Sequence, residues 1–546
     1  MNFTECLRAY FSFFQNAEFT QGDALPTQEQ CERYLADYKE DFYTRKAPVH
    51  ATASAFVMNR DLTKVLFAYH KIYDSYAWLG GHADGETDLL AVALREAKEE
   101  SSLAEVLPYS HIPVSVRLLP VRSHVKRGEQ VPEHFHLDVC FCLIAEESSK
   151  IAPKTDENTS VAWLNAEKLS DYVKEKNMLP VYAGCIAAIR RIEAKKRESL
   201  PLLPSLLLPW FTENKRDLPW RHTADAYRVW VSEIMLQQTR VEAVKKYYER
   251  FLARLPSVFD LAACEEDELL KLWEGLGYYN RVRNMQKAAK LVVEKYNGQF
   301  PSEAAELKKL PGIGEYTAGA VASIAFGKPS PAVDGNVIRV LSRYLEDYRS
   351  SEELKTALQA PLAKIYPEGE CSAFTQSLME LGALVCTPDS PDCSRCPLQA
   401  ECLAYRSNAE DELPIIPQKK PRKTYDLNVF LMITPQGIGI RKRKEKGVLF
   451  GLWEFPNMPD ENPSASAPEV LANLKLHVKG AISERRHTHI FTHLVWNMRA
   501  FLFDTDDITP NVFPNLTYLP LSEIEAKISV PSAFRWCLQD LQKFYN

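Results

Sequence analysis

The chain has 546 residues, of which 46% are hydrophobic and 25% charged, with a formal net charge of −6. That length exceeds one core and predicts three or four domains of an ordinary globular, soluble kind. No apolar run is long enough to span a bilayer and no secretory pattern opens the sequence, which predicts a cytoplasmic protein without a membrane partner, and the acidic balance excludes any nucleic-acid role argued from overall charge.

Residues 1–47 read as a helical lead-in. Phe3, Leu7, Tyr10, Phe11 and Phe14, then Tyr34, Tyr38 and Phe42, recur three or four apart, so these helices are expected to pack on the next domain. From 48 to 198 the pattern turns strand-like (ATASAFVMN, KVLFAYH, HFHLDVCFCLIA, SVAWLN), broken by the Gly80-Gly81-His82 turn and the helical run LLAVALREAKEESSL. Glu96, Glu99 and Glu100 stand at i, i+3 and i+4 and share a helix face. Like charges this close repel unless a cation lies among them, and an oxygen-rich cluster suits Mg2+ or Mn2+. The stretch resembles the Nudix box, matched at Gly81, Arg95-Glu96 and Glu99-Glu100. Ser102 stands where the pattern has Gly, and Thr87 where it has Glu, with Glu86 one residue early. The resemblance implies hydrolysis of a nucleoside diphosphate linked to another moiety.

From 199 to 408 the period is helical throughout. Glu233 is set among Val231, Ile234, Met235 and Leu236. Apolar neighbours disfavour an ionised carboxyl, which moves its pKa toward the range of a general acid. Leu310 to Gly314 is a tight turn before a helix of small residues. Gly312 and Gly314 there would let backbone N–H groups approach a nucleic-acid phosphate. A single Asp334 precedes Gly335-Asn336.

The runs SEIMLQQTR, LWEGLGYYNR, LPGIGEYTAG and AVDGN, in that order, resemble the MutY-type adenine DNA glycosylases of the endonuclease III, helix-hairpin-helix superfamily. The resemblance covers roughly residues 205–546. It implies that Glu233 protonates the adenine ring, that Asp334 stabilises an oxocarbenium-like sugar, and that Asn336 orients Asp334. It also implies that Gln238, Leu276 and Tyr278 probe the opposing base and help extrude the adenine. Tyr316 stands where strand-nicking relatives place a Schiff-base lysine, so the expected activity is a monofunctional hydrolysis leaving an abasic site.

Cys386, Cys393, Cys396 and Cys402 form a C-x6-C-x2-C-x5-C array. Four thiolates suit zinc or an iron–sulfur cluster, and this spacing resembles the 4Fe–4S loop of the endonuclease III family. Residues 409–422 read as a Pro-rich, charged linker. Local basic runs lie at Lys419-Lys420-Pro421-Arg422-Lys423 and Arg441-Lys442-Arg443-Lys444. From 423 to 546 strand-like runs return, with FGLWEFPNMP placed like AWLGGHADGE, but the following helix has no Arg-Glu and no Glu pair. This resembles the Nudix-like domain by which the family recognises 8-oxoguanine. Phe491, Thr492 and His493, with His489, match its base-reading loop, Thr492 standing where the family commonly has Ser.

The expected fold is therefore multidomain α+β: an N-terminal Nudix α/β/α sandwich, an all-α helix-hairpin-helix glycosylase core with a 4Fe–4S loop, and a C-terminal Nudix-like α+β domain. The expected partners are double-stranded DNA with A:8-oxoguanine or A:G mispairs, and a nucleoside diphosphate-type small molecule at the Nudix domain. A monomer is expected. Two other readings stay open: a bifunctional glycosylase/lyase of the endonuclease III kind, and a non-catalytic DNA-binding scaffold.

Overall fold

The computed structural model describes residues 1–14, 25–71, 74–126, 129–154, 158–416, 421–506 and 512–545. The chain divides into two compact units, one of Met1–Lys215 with Val333–Pro417, the other of Arg216–Ala332 with Gln418–Asn546. This division cuts through the helical region 199–408 instead of following its ends. Among the described residues 166–416 there is no strand, as the helical periodicity predicts.

In the first unit the helices Phe3–Phe13 and Gln28–Tyr38 each begin with a reciprocal cap, Asn2 with Glu5 and Thr27 with Gln30. Phe3, Leu7, Tyr10 and Phe14 are buried in one cluster with Phe56, Phe67 and Phe141. The lead-in thus completes the core of the domain that follows it. Eight strands form a mixed sheet whose path runs Asn158–Asn165, Lys64–His70, Val49–Met58, His134–Ile144 and Leu107–Pro108. Val49–Met58 and His134–Ile144 pair in parallel, with His50 opposite His136. Val49–Met58 is buried at every position, as a central parallel strand requires. Leu79–His82 pairs antiparallel to Val49–Met58, with Thr52 opposite His82.

Glu346 joins this sheet domain to the helices of 333–417. Its fully buried carboxylate accepts from Ser110 Oγ (2.5 Å), the His111 N–H (2.6 Å) and Ser407 Oγ (2.7 Å). The Lys196 ammonium donates to the carbonyls of Tyr109 and Glu346, both at 3.0 Å. Breaking one partner out of such a buried charged network costs about 3–5 kcal/mol. The expected linker also differs from its reading. Ala409 and Leu413 are buried with Tyr348 and Ala404, because their apolar side chains find a place in the helical core. Lys419 and Lys420 lie outside the described residues.

In the second unit the helices Ala226–Leu236, Val241–Arg254, Asn280–Tyr296 and Glu315–Phe326 bury Trp230, Phe251, Met285 and Val321 in one cluster. The second sheet pairs Lys423–Thr434 in parallel with Leu494–Asp504, and Asn457–Pro459 antiparallel to Lys423–Thr434. Asn457–Pro459 therefore occupies the place that Leu79–His82 holds in the first sheet, as the echo between the two sequences suggests. Helices and sheet interlock. Leu452 enters the helical core, and the Arg283 guanidinium donates to the carbonyls of Phe450 (2.7 Å) and Gly451 (2.9 Å). No helix of the described residues is long and apolar enough to cross a membrane.

Candidate functional site

Glu233 lies in the helix Ala226–Leu236, whose N-cap Asp225 accepts from the Arg228 N–H at 2.8 Å. Its residue is 5% exposed, and the Tyr316 hydroxyl donates to its Oε2 at 2.5 Å. Tyr316 sits in the first turn of the helix Glu315–Phe326. The N-cap of that helix is Gly314, which offers no side-chain acceptor, so its leading N–H groups are unclaimed by a cap. Gly312 has φ +77°, and a Cβ there would fall 2.7 Å from Cβ of Asn284, so the turn requires glycine at that position.

Arg281 is a residue that sequence reasoning missed, although it stands within the LWEGLGYYNR run. Its guanidinium donates to the carbonyl of Ile234 (2.8 Å) on the Glu233 helix, and to those of Leu276 (3.0 Å) and Gly277 (3.2 Å). It thereby holds the end of that helix against the turn that carries Tyr278. Burial lowers its pKa to about 10. Gln238 follows the helix in left-handed backbone, φ +58°.

Leu276 and Tyr278 have different surroundings. Leu276 is 6% exposed and packs in the helical core, whereas its expected base-probing place calls for an accessible side chain. Tyr278, at φ +47°, turns outward and is half exposed. Its hydroxyl is hydrogen-bonded to Thr492 Oγ1. Thr492 and His493 are the exposed tip of a tight turn between the strands Lys479–Ile490 and Leu494–Asp504, closed by the Phe491 N–H donating to the Leu494 carbonyl at 2.8 Å. Phe491 anchors the turn, its ring 4.9 Å from Trp496 and 4.6 Å from His489. Two regions 214 positions apart in sequence are brought into contact here.

Asp334, Asn336 and the four cysteines belong to the other unit. Asp334 is the N-cap of the helix Gly335–Tyr344, its Oδ1 accepting from the Val337 N–H at 2.8 Å. Its Oδ2 accepts from Asn336 Nδ2 at 3.0 Å. Burial raises the pKa of Asp334, and these two donors oppose the rise. Asn336 Oδ1 in turn accepts from Arg339, whose guanidinium also donates to the Cys386 carbonyl at 2.8 Å.

Cys386, Cys393, Cys396 and Cys402 line one cavity with Arg343. Arg343 is 2% exposed and donates to the carbonyls of Thr387 (2.7 Å), Pro388 (2.9 Å) and Leu413 (2.9 Å), and to Cys386 Sγ at 3.4 Å. Burial pushes the thiols of Cys393 and Cys396 up to about 11 and about 12, so a thiolate set here needs a metal to compensate it. Among the described residues no three of these sulfurs lie within 4.8 Å of one another. A tetrahedral zinc with sulfur at about 2.3 Å would hold its ligands about 3.8 Å apart. Four thiols and a buried guanidinium beside Cys386 thus line one cavity suited to a metal centre.

In the Nudix-like stretch, Glu96 and Glu100 face the strand Leu79–His82. The Gly80 N–H donates to Glu100 Oε2 at 3.3 Å, and a Cβ at Gly81 would fall 2.6 Å from Glu96 Cδ. Glu99 is exposed and pairs with Lys154 at 3.2 Å. Arg95 pairs with Glu96 at 2.9 Å. Glu86 turns back to accept from the N–H groups of Thr87 (2.8 Å) and Asp88 (3.0 Å). Ser102 ends the helix Leu89–Ser101 at φ +58°, the left-handed region that explains why glycine is the pattern's choice there.

A family model for the HhH-GPD superfamily of base excision DNA repair proteins matches residues 231–364, and NUDIX domain models match 48–185 and 428–540. The chain is 38% identical over 348 residues to the adenine DNA glycosylase of Arabidopsis thaliana, covering 53% of this chain and 55% of that protein. It is 33% identical over 371 residues to the adenine DNA glycosylase of Mus musculus, covering 57% of this chain and 72% of that protein. The match thus spans just over half the length of the plant relative. Among solved structures, a thermostable thymine-DNA glycosylase is 32% identical with a TM-score of 0.36, covering 40% of this chain and 99% of that one.

Proposed function

The chain belongs to the adenine DNA glycosylase family, and from that premise we propose that it removes adenine mispaired with 8-oxoguanine, or with guanine, from duplex DNA by hydrolysing the N-glycosidic bond. The observation that carries this reading is the buried Glu233 carboxyl with the Tyr316 phenol donating to it. Glu233 delivers its proton to the adenine ring, which turns the base into a neutral leaving group. As the bond lengthens, positive charge grows on the sugar, and the anionic Asp334 stabilises it while Asn336 holds the carboxylate in place. Water then adds to the sugar carbon and its proton passes to the Glu233 carboxylate, which restores the acid. Tyr316 has no amine to form a Schiff base, so the strand stays intact at an abasic site.

The target base must leave the stack before Glu233 can reach it. Tyr278 and Thr492 meet on the surface, one from the helical region and one from the Nudix-like sheet, and serve to read the strand opposite the adenine. The Thr492 hydroxyl can hydrogen-bond the altered edge of 8-oxoguanine, with His493 beside it, and Gln238 contributes from its left-handed position. The uncapped helix start at Gly314 suits a backbone phosphate. Cys386, Cys393, Cys396 and Cys402 would hold a 4Fe–4S cluster, whose part is to shape the surrounding loop. The N-terminal Nudix module is proposed to hydrolyse a nucleoside diphosphate derivative, with Glu96, Glu99 and Glu100 as the Mg2+ or Mn2+ ligands.

The test is single-turnover cleavage of duplexes holding A opposite 8-oxoguanine by wild type and Glu233→Gln. Loss of a positioned proton donor lowers the rate by about 10²–10⁴-fold with duplex binding retained. Unchanged turnover in Glu233→Gln refutes the assignment and favours the scaffold reading.

A further inference from the structure

Four histidines that the nucleotide and DNA chemistry leaves unused gather on one face of the N-terminal sheet. His50 comes from the strand Val49–Met58, His82 from the end of Leu79–His82, and His134 and His136 from His134–Ile144. His50 and His136 are opposite each other in the parallel register, and His134 precedes His136 by two, so alternation points all three to the same face. The ligand nitrogens of His50, His82 and His136 lie within 4.8 Å of one another. His134 Nε2 lies 3.2 Å from His136 Nε2. A tetrahedral zinc with nitrogen ligands at about 2.0–2.1 Å sets neighbouring nitrogens about 3.3 Å apart, close to that separation.

Two of the rings are already held in the tautomer a metal needs. His50 Nδ1 lies 2.8 Å from the Ala47 carbonyl and His134 Nδ1 lies 2.8 Å from the Pro132 carbonyl. A carbonyl only accepts, so each Nδ1 carries the proton and each Nε2 presents a lone pair. This is how proteins orient metal-binding imidazoles. His50 is 3% exposed, yet its Nε2 is buried with no hydrogen-bond partner, a cost that a bound cation would remove. The nearby Arg45 and Asp84 form a bidentate pair with each other, 2.8 Å at both contacts, so the cation among them is already neutralised.

We propose that His50, His82 and His136, with His134 held against His136, bind one divalent transition-metal ion, Zn2+ by preference, at a site separate from both the cysteine loop and the Nudix glutamates. All-imidazole sets select zinc-class ions over Mg2+, which favours oxygen ligands. The bound ion would fasten the end of Leu79–His82 to the central strands, immediately before the acidic helix.

The experiment uses the full chain, dialysed against Zn2+ and then metal-free buffer, with zinc and iron counted per chain and zinc X-ray absorption recorded. The expected result is about one zinc per chain with a nitrogen or oxygen shell at about 2.0 Å. His82→Ala and His134→Ala, both at incompletely buried positions, should retain the wild-type circular dichroism and iron content while binding zinc at least ~100-fold more weakly. A sulfur shell at about 2.3 Å would place the zinc on the cysteines and overturn the proposal. So would a wild-type chain that retains no zinc, or variants that bind it as tightly as wild type.

Discussion

Tyr316→Phe removes one hydroxyl and keeps the aromatic ring, so it tests the 2.5 Å hydrogen bond to Glu233. If Glu233 is the proton donor, that bond is made to a neutral carboxyl in the ground state and to a carboxylate once the proton has moved. A hydrogen bond to a neutral group contributes about 1 kcal/mol and one to a charged group about 1.5–3 kcal/mol. Only the difference, about 0.5–2 kcal/mol, accelerates the chemistry, which corresponds to about 2–30-fold in rate. The variant should therefore cut adenine about 2–30 times more slowly in single-turnover assays at saturating enzyme, with duplex affinity unchanged and thermal stability lower by about 1 kcal/mol. A rate equal to wild type, measured beside an inactive Glu233→Gln, would show that the phenol takes no part in proton donation. The loss would then be one of packing alone.

Asp334 supplies the pH dependence. Burial raises its folded pKa above the unfolded value, so the stability tied to this group is greatest where it is protonated and is lost as pH rises through that raised pKa. In the proposed mechanism catalysis needs the ionised form, so the acid limb of the rate profile should lie above the ordinary Asp value of about 3.9. Asn336→Ala removes a donor to the carboxylate and should carry that limb further upward; a limb that stays in place contradicts the role given to Asn336. Arg343→Met leaves the carbonyls of Thr387, Pro388 and Leu413 without their buried donor and should cost about 3–5 kcal/mol, read as a lower Tm with less iron per chain. Ser102→Gly should be neutral or stabilising by up to about 1 kcal/mol in denaturant unfolding, because φ +58° strains a residue with a Cβ; clear destabilisation would refute that account.

What the sequence determined by itself is everything written in local order. Helical and strand periods separate the helical region from its two sheet-bearing flanks. The four long runs from SEIMLQQTR to AVDGN carry the family resemblance, and the spacing of Cys386 to Cys402 marks a metal loop. Such features are legible because residues a few positions apart share a helix face or a turn whatever the rest of the chain does. The missing Glu pair after FGLWEFPNMP likewise separates the two Nudix-like sheets, one acidic and one not.

Tertiary structure alone decided the remainder. Leu276 and Tyr278 look equivalent as letters, yet a left-handed backbone at Tyr278 puts one in the core and the other at the surface. The meeting of Tyr278 with Thr492, the carbonyls gathered by Arg281 and Arg343, and the three donors on Glu346 all join residues far apart in the chain. The four histidines become a set only when a parallel register lays His50 beside His136 and a short antiparallel strand delivers His82. Register and long-range hydrogen bonding follow from how whole faces bury against one another, and that balance is spread over hundreds of residues instead of written in any one stretch.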